Sequence, residues 1–245
     1  MSASTDNHHP PGAAPHRPPP LSAWLQGAVE SHGSRIALEA ADLQYTYAQL
    51  GAEVQALANK LKQAGIAPGH RVAIAADRDA PTIIAILATV HTGAAYVPLD
   101  LAYPAQRLRA MLETAQPSLV LGSAKALATL KTSAGDYPTL DAPAIALQAP
   151  YAAKPGLTYV LFTSGSTGTP KGVAMGDLPL RHLTEWHAKH RNLGSAARTL
   201  QFAPLSFDVH FQEIFSTIAC AGTLVLIPEH HRRNPALLVK ALMER

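Results

Sequence analysis

Strand and helix signals alternate along this 245-residue chain, its strand segments are nearly continuous apolar runs, and one of them empties into a loop of glycines and hydroxyls. Together these predict an α/β fold: layered, mostly parallel sheets with covering helices, because strands buried on both faces lose the polar alternation of a half-exposed sheet. With 47% hydrophobic residues the chain can bury a sizeable core. No repeat of fixed period is visible.

Each element has its own signal. The opening MSASTDNHHPPGAAPHRPPP holds six prolines and no aromatic residue. It lacks the apolar core of a secretory signal and reads as a disordered Pro/His-rich leader, 1–20, ahead of one domain, 21–245. In TYAQLGAEVQALANKLKQAG, Thr46 and Gln49 have capping-box spacing, Leu50, Val54, Leu57 and Leu61 share a face, and Gly65 stops the helix. A strand is expected at 71–76. Asp79 and Pro81 then open a helix that Gly93 closes, and AAYVP reads as a strand. That punctuation argues against a membrane span, although residues 80–99 contain no Lys, Arg, Asp or Glu.

A helix from Pro104 turns Leu108, Met111 and Leu112 inward, and SLVLG is a strand. Residues 122–155, rich in alanine and proline, predict a looser excursion. Strand 158–162 follows, then helix 180–190, strand 198–202, helix 209–219, strand 223–227 and helix 235–245.

The net charge of +3 comes from 20 basic and 17 acidic residues without a Lys/Arg block, so no nucleic-acid arm is indicated. Cys220 is the single cysteine, which excludes a disulfide framework and fits a reducing cytoplasm. His182, His187 and His190 with Glu185 lack H-E-x-x-H order and read as a polar helix face; no metal site is assigned.

LTYVLFTSGSTGTPKGV, residues 157–173, joins an apolar strand to a loop in the position where open α/β sheets bind ligands. Gly165, Gly168 and Gly172 would let the backbone approach a ligand. Thr163, Ser164, Ser166, Thr167 and Thr169 supply hydroxyls, and Lys171 a compact positive charge. This is phosphate-binding chemistry. Neither G-x-x-x-x-G-K-[ST] nor G-x-S-x-G fits the string, and a solvated turn is the plain alternative.

FTSGSTGTPKGV resembles the signature loop of the adenylate-forming superfamily. YTYAQL at 45–50, TGAAYVPLDLAYPAQRL at 92–108 and LSFDVHFQEIFSTIACAGTLVLI at 205–227 resemble further motifs in the family's order. AAYVPLD and FDVHFQEIF are most similar to the nonribosomal peptide synthetase branch. The resemblance implies the first part of the superfamily's large N-terminal domain. It implies Thr163, Ser164, Gly165, Ser166, Thr167, Gly168 and Lys171 as ATP-phosphate contacts, and Asp208 as partner of an amino acid's α-ammonium. Val209 and Gln212 would be further pocket positions, a combination similar to those of domains for proline-like amino acids.

On residue chemistry alone Asp208 is also a helix N-cap and Val209 core packing. His210 departs from the small hydroxyl usual at its position, and Leu101 from a common proline.

The implied reaction is ATP- and Mg2+-dependent activation of an amino-acid carboxylate, with phosphopantetheine on a carrier protein as acceptor; the implied partner is a peptidyl carrier protein or the missing remainder of the synthetase. Other readings are a fatty- or aryl-acid ligase of the same superfamily, and a non-catalytic truncated remnant or nucleotide-binding module. Counterparts of the family's adenine platform, ribose-binding aspartate and C-terminal lysine are not found after residue 227. The chain alone is therefore expected to be inactive, with no catalytic residue assigned.

Overall fold

The computed structural model describes residues 16–40, 43–139, 156–163, 170–190 and 197–243. In order these form α1 (Leu21–His32), β1 (Ile36–Ala40), β2 (Leu43–Thr46), α2 (Tyr47–Gln63), β3 (Arg71–Ala76), α3 (Ala80–His91), β4 (Ala95–Asp100), α4 (Ala105–Ala115), β5 (Leu119–Leu121) and α5 (Ala124–Ala134). They continue with β6 (Leu157–Thr163), β7 (Lys171–Gly176), α6 (Asp177–His190), β8 (Arg198–Leu200) and α7 (Val209–Phe211). A π-helical turn (Gln212–Ser216), α8 (Thr217–Ala219), β9 (Thr223–Val225), α9 (Glu229–Arg232) and α10 (Pro235–Met243) complete the chain order.

Two sheets result. One has order β5-β3-β4-β6-β7 and is parallel except for the β6–β7 hairpin; the other, β2-β1-β9-β8, is parallel except for β1–β2. Successive residues of the first sheet enter different cores. Val72, Ile74, Tyr96, Leu119, Leu121, Tyr159 and Leu161 join a cluster with α2, α3 and the second sheet. Ala73, Val97, Leu99, Val120, Val160 and Phe162 join another with α4 and α5. Burial on both faces is why these strands read as unbroken apolar runs.

α3 lies inside the first core, with Ile83, Ile84, Ala85, Ile86, Leu87 and Ala88 all buried, as a helix apolar around its circumference must be. Asp79 caps it by accepting from the Thr82 amide at 2.9 Å. The charge-free stretch is thus a core helix followed by a strand, and no helix among the described residues is long and apolar enough to cross a membrane. The capping box of α2 is present in full: Thr46 Oγ1 accepts from the Gln49 amide and the Gln49 side chain accepts from the Thr46 amide.

Three expectations need revision. The excursion begins with α5, where Ser123 caps the helix and Ala126, Leu130 and Ala134 face the core; residues 140–155 lie outside the described ones. The continuation of the glycine-rich loop is strand β7. Of the expected leader, 1–15 lie outside the described residues, whereas 16–20 run along α6. There Arg181 donates to the carbonyls of Pro18 and Pro19, and His16 meets Glu185 at 2.8 Å. Proline lacks an N–H but keeps a strong carbonyl acceptor, which an arginine fork can grip.

Candidate functional site

β6 carries its apolar run to Phe162 and ends at exposed Thr163; β7 returns antiparallel from exposed Lys171, with Thr163 and Lys171 paired across the hairpin. Paired residues share a face, so a hydroxyl and an ammonium stand together at the carboxyl end of β6. Residues 164–169 lie outside the described ones. Of the expected phosphate contacts, Thr163 and Lys171 are therefore placed, while Ser164, Gly165, Ser166, Thr167 and Gly168 are not. Gly172 has a packing reason beside the expected ligand approach. A Cβ there would lie 3.1 Å from Val160 Cγ1 and 3.4 Å from the Phe162 ring, so its smallness serves packing within the hairpin.

Asp208 leads into α7 with φ −61° and ψ −24°, already helical, and makes no capping bond. A capping carboxylate needs an extended backbone to turn back onto the helix amides. The N-cap reading is thus corrected, and the carboxylate is exposed. Val209 is 47% exposed rather than core, and Gln212 is half-buried, while Phe211, Ile214, Phe215 and Ile218 are buried. Asp208, Val209 and Gln212 therefore share the open side of one helix. Its middle winds as a π turn, a distortion frequent at functional sites. The charge of Asp208 reaches Tyr159 on β6: burial first, then this carboxylate, raises the Tyr159 phenol pKa. Thr163 is four residues further along the same strand, about 13 Å of backbone at the usual rise.

Beneath this open side His210 is fully buried. Its Nδ1 lies 2.5 Å from the Phe207 carbonyl and its Nε2 2.7 Å from the Tyr96 hydroxyl. A carbonyl can only accept, so Nδ1 carries the proton and Nε2 accepts from Tyr96. Burial lowers the His210 pKa to about 4, against smaller opposing contributions from the Phe207 carbonyl and Asp208.

A second polar group borders the helix. Arg78, between β3 and α3, sends Nη1 to the Gln201 carbonyl at 3.1 Å and to Gln201 Oε1 at 3.0 Å, and Nε to Glu229 at 2.8 Å. Gln201 in turn donates to the Ala203 carbonyl at 2.6 Å and to Glu213 at 3.1 Å, and Glu213 accepts from the Ala203 amide at 3.0 Å. Burial raises the Glu213 pKa, while bonds from Ala203 and Gln201 oppose the rise. Glu229 is held down to about 2, chiefly by Arg232 and further by Arg233 and Arg78. A cleft of about 250 Å³ opens beside this group, between Asp100, Pro204, Ser206 and Arg232.

A family model described as AMP-binding enzyme matches residues 25–245. The chain belongs to that family.

Its curated AMP-binding relatives include the AMB antimetabolite synthetase AmbB of Pseudomonas aeruginosa, 34% identical over 243 residues, 95% of this chain and 19% of that protein. Enterobactin synthase component F of Escherichia coli is 37% identical over 222 residues, 86% of this chain and 17% of that protein. The chain thus spans under a fifth of the length of either. Among solved structures, the nonribosomal peptide synthetase FmoA3 in an AMPPNP-bound form superposes with TM-score 0.78 at 26% identity, over 92% of this chain and 24% of that one. The four-domain synthetase holo-AB3403, bound to AMP and glycine, gives 0.77 at 23% identity over 93% and 17%. The layered sheets described above are the fold of these adenylation domains over part of their length.

For an AMP-binding protein the described groups suit a phosphate ligand at Thr163 and Lys171. Among the described residues no group of three His, Cys, Asp or Glu could hold a metal ion. The helix face of His182 and His190 is taken up locally: Glu185 pairs with Lys189 and His16, and His190 with the Trp186 carbonyl. Sequence reading missed Arg78, Gln201, Glu213 and the Tyr96–His210 pair. The available signal was position, since Arg78 follows the carboxyl end of an apolar strand, where α/β sites form.

The histidine yields a prediction. A folded pKa near 4 against 6.5 unfolded means that the unfolded chain binds the extra proton between those values. The His210 contribution is thus fully present above pH 6.5 and is lost as pH falls towards 4. Between pH 7.5 and 5 it should remove about 2 kcal/mol of stability. Thermal unfolding of wild type and His210→Gln across this range should show a steeper acid loss in wild type; equal slopes would refute the assignment.

Proposed function

We propose that this chain carries the phosphate-facing and amine-facing parts of an amino-acid adenylation site in nonribosomal peptide synthesis. The observation that carries the reading is Asp208, an exposed carboxylate at a helix start that makes no capping bond to that helix and shares its open side with Val209 and Gln212. Such a group is available to an external cation, and an α-ammonium is the cation an amino acid offers. The similarity to AmbB and enterobactin synthase component F, and to an AMPPNP-bound synthetase, supports the same reading.

In the proposed reaction a carboxylate oxygen attacks the α-phosphorus of ATP, the bond to the β-phosphate oxygen breaks, and pyrophosphate leaves with its electron pair. Lys171 and Thr163, with Ser164 to Gly168, would hold the β- and γ-phosphates and offset charge on the departing group. Asp208 would orient the substrate through its ammonium, with Val209 and Gln212 lining the side-chain pocket, proline-like in the finer proposal. Mg2+ would accompany the phosphates. A phosphopantetheine thiol on a carrier protein would displace AMP from the acyl carbon, in a cytoplasmic setting that suits the single cysteine.

The test is pyrophosphate exchange over paired substrates, each amino acid beside its des-amino acid, with the chain alone and within a complete adenylation domain built on it. Exchange in the complete domain that requires the α-amine is expected. Equal exchange with the des-amino acids would favour a fatty- or aryl-acid ligase, and none with any acid would favour a binding module.

A further inference from the structure

We infer that Arg78 is a positioning residue for the amine-binding carboxylate: it fixes the 201–208 segment, and through it Asp208, from the opposite sheet. The amine-binding part of this inference rests on the function proposed above.

The chain of contacts is short and its polarity is unambiguous. An arginine only donates and a carboxylate only accepts, so Gln201 must turn Oε1 to Arg78 and Nε2 to Glu213, as observed at 3.0 and 3.1 Å. Gln201 is 1% exposed, and the Arg78 side chain 11%. Charged groups are bonded here with little water to replace a lost partner. Glu213 closes the loop on both sides, because it accepts from Ala203 ahead of Asp208 and sits on the helix that follows Asp208. The intervening turn is held by Phe207 N to the Pro204 carbonyl at 2.9 Å. Arg78 is thus the one member of this group that anchors it to the β3–α3 connection.

A general structural clamp is the competing account. Arg78 also bonds Glu229, but Glu229 keeps Arg232 and Arg233 when Arg78 is gone. What the substitution removes without replacement is the grip on Gln201. Its effect should therefore be local to the segment that presents Asp208.

Hydrogen–deuterium exchange on the 245-residue chain reads this directly, with no need for catalysis. In Arg78→Met the amides of Ala203, Phe207 and His210 should exchange about tenfold faster, and those of β3 and β4 within about twofold of wild type. Arg78→Lys, which can still reach one acceptor, should restore part of the protection. Glu213→Gln tests the same segment from the other end and should show a smaller acceleration at Ala203. Uniform acceleration throughout both variants would make Arg78 a general clamp and overturn the proposal, as would unchanged exchange at 203–210.

Within a complete adenylation domain, Arg78→Met should raise the KM for the amino acid about tenfold with the KM for ATP within twofold. Equal rises in both would also overturn the positioning role. If wild type shows no amine-dependent exchange of pyrophosphate, the functional reading fails, while amide exchange still decides whether Arg78 orders the segment.

Discussion

Asp208→Ala, placed in a complete adenylation domain, is expected to lower amino-acid-dependent pyrophosphate exchange by at least about 100-fold, and exchange with the matching des-amino acid by less than about threefold. The size of the first number carries information. An ion pair in water is worth about 0.2–1 kcal/mol, less than sixfold in rate. A hundredfold loss corresponds to about 2.7 kcal/mol and requires that the ammonium be left unpaired in a site from which water is largely excluded. Asp208, Val209 and Gln212 form an open helix face in this chain, so a large effect also demands that the bound substrate and the rest of the domain cover that face. Asp208→Asn keeps an acceptor without the charge and should fall between alanine and wild type. A loss below fivefold for Asp208→Ala would withdraw the ammonium assignment. The folded state should not explain the loss, because the side chain is exposed and caps nothing.

Elements with local punctuation were legible in the sequence. The Thr46–Gln49 capping box, Asp79 and Gly93 around α3, and the helix spanning 209–219 all stand where spacing placed them. Other signals were diluted. In α5 the buried Ala126, Leu130 and Ala134 do recur every fourth residue, but alanine also fills the exposed positions, so hydrophobic contrast is weak. Strand β7, KGVAMG, is mostly exposed and bounded by glycines, which gives it the texture of a loop; its strand character comes from pairing with β6.

The site divides in the same way. Asp208, Val209, Gln212, Thr163 and Lys171 could be named from short motifs. The polar contacts around the 201–213 segment could not, since Arg78 meets Gln201 across 123 residues and Tyr96 meets His210 across 114. Pairwise contacts at such separation leave no local periodicity. The backbone state of Asp208 was equally invisible: an aspartate before an apolar helix satisfies both the capping and the ligand-binding pattern, and only its helical φ and ψ separate them.

Lys171→Ala is expected to reduce kcat/KM for ATP about 100-fold in the complete domain, most of it in kcat, with the thermal unfolding midpoint of the chain unchanged. Lys171 begins the edge strand β7 and is exposed, so two roles compete for it. Lysine on an edge strand discourages pairing with a second sheet, and its loss would then promote association without altering nucleotide use. The pairing with Thr163 argues for the other role, since it sets an ammonium beside a hydroxyl at the carboxyl end of β6, where the glycine-rich sequence 164–169 follows. A compact ammonium neutralises a departing pyrophosphate as a point charge, and the gain is larger in the transition state than in bound ATP, which is why kcat should carry the loss. Lys171→Arg should recover only part of it, because the planar fork is displaced from the position of the ammonium. If Lys171→Ala instead forms oligomers and retains wild-type kcat/KM for ATP, the residue protects the sheet edge and the phosphate assignment falls.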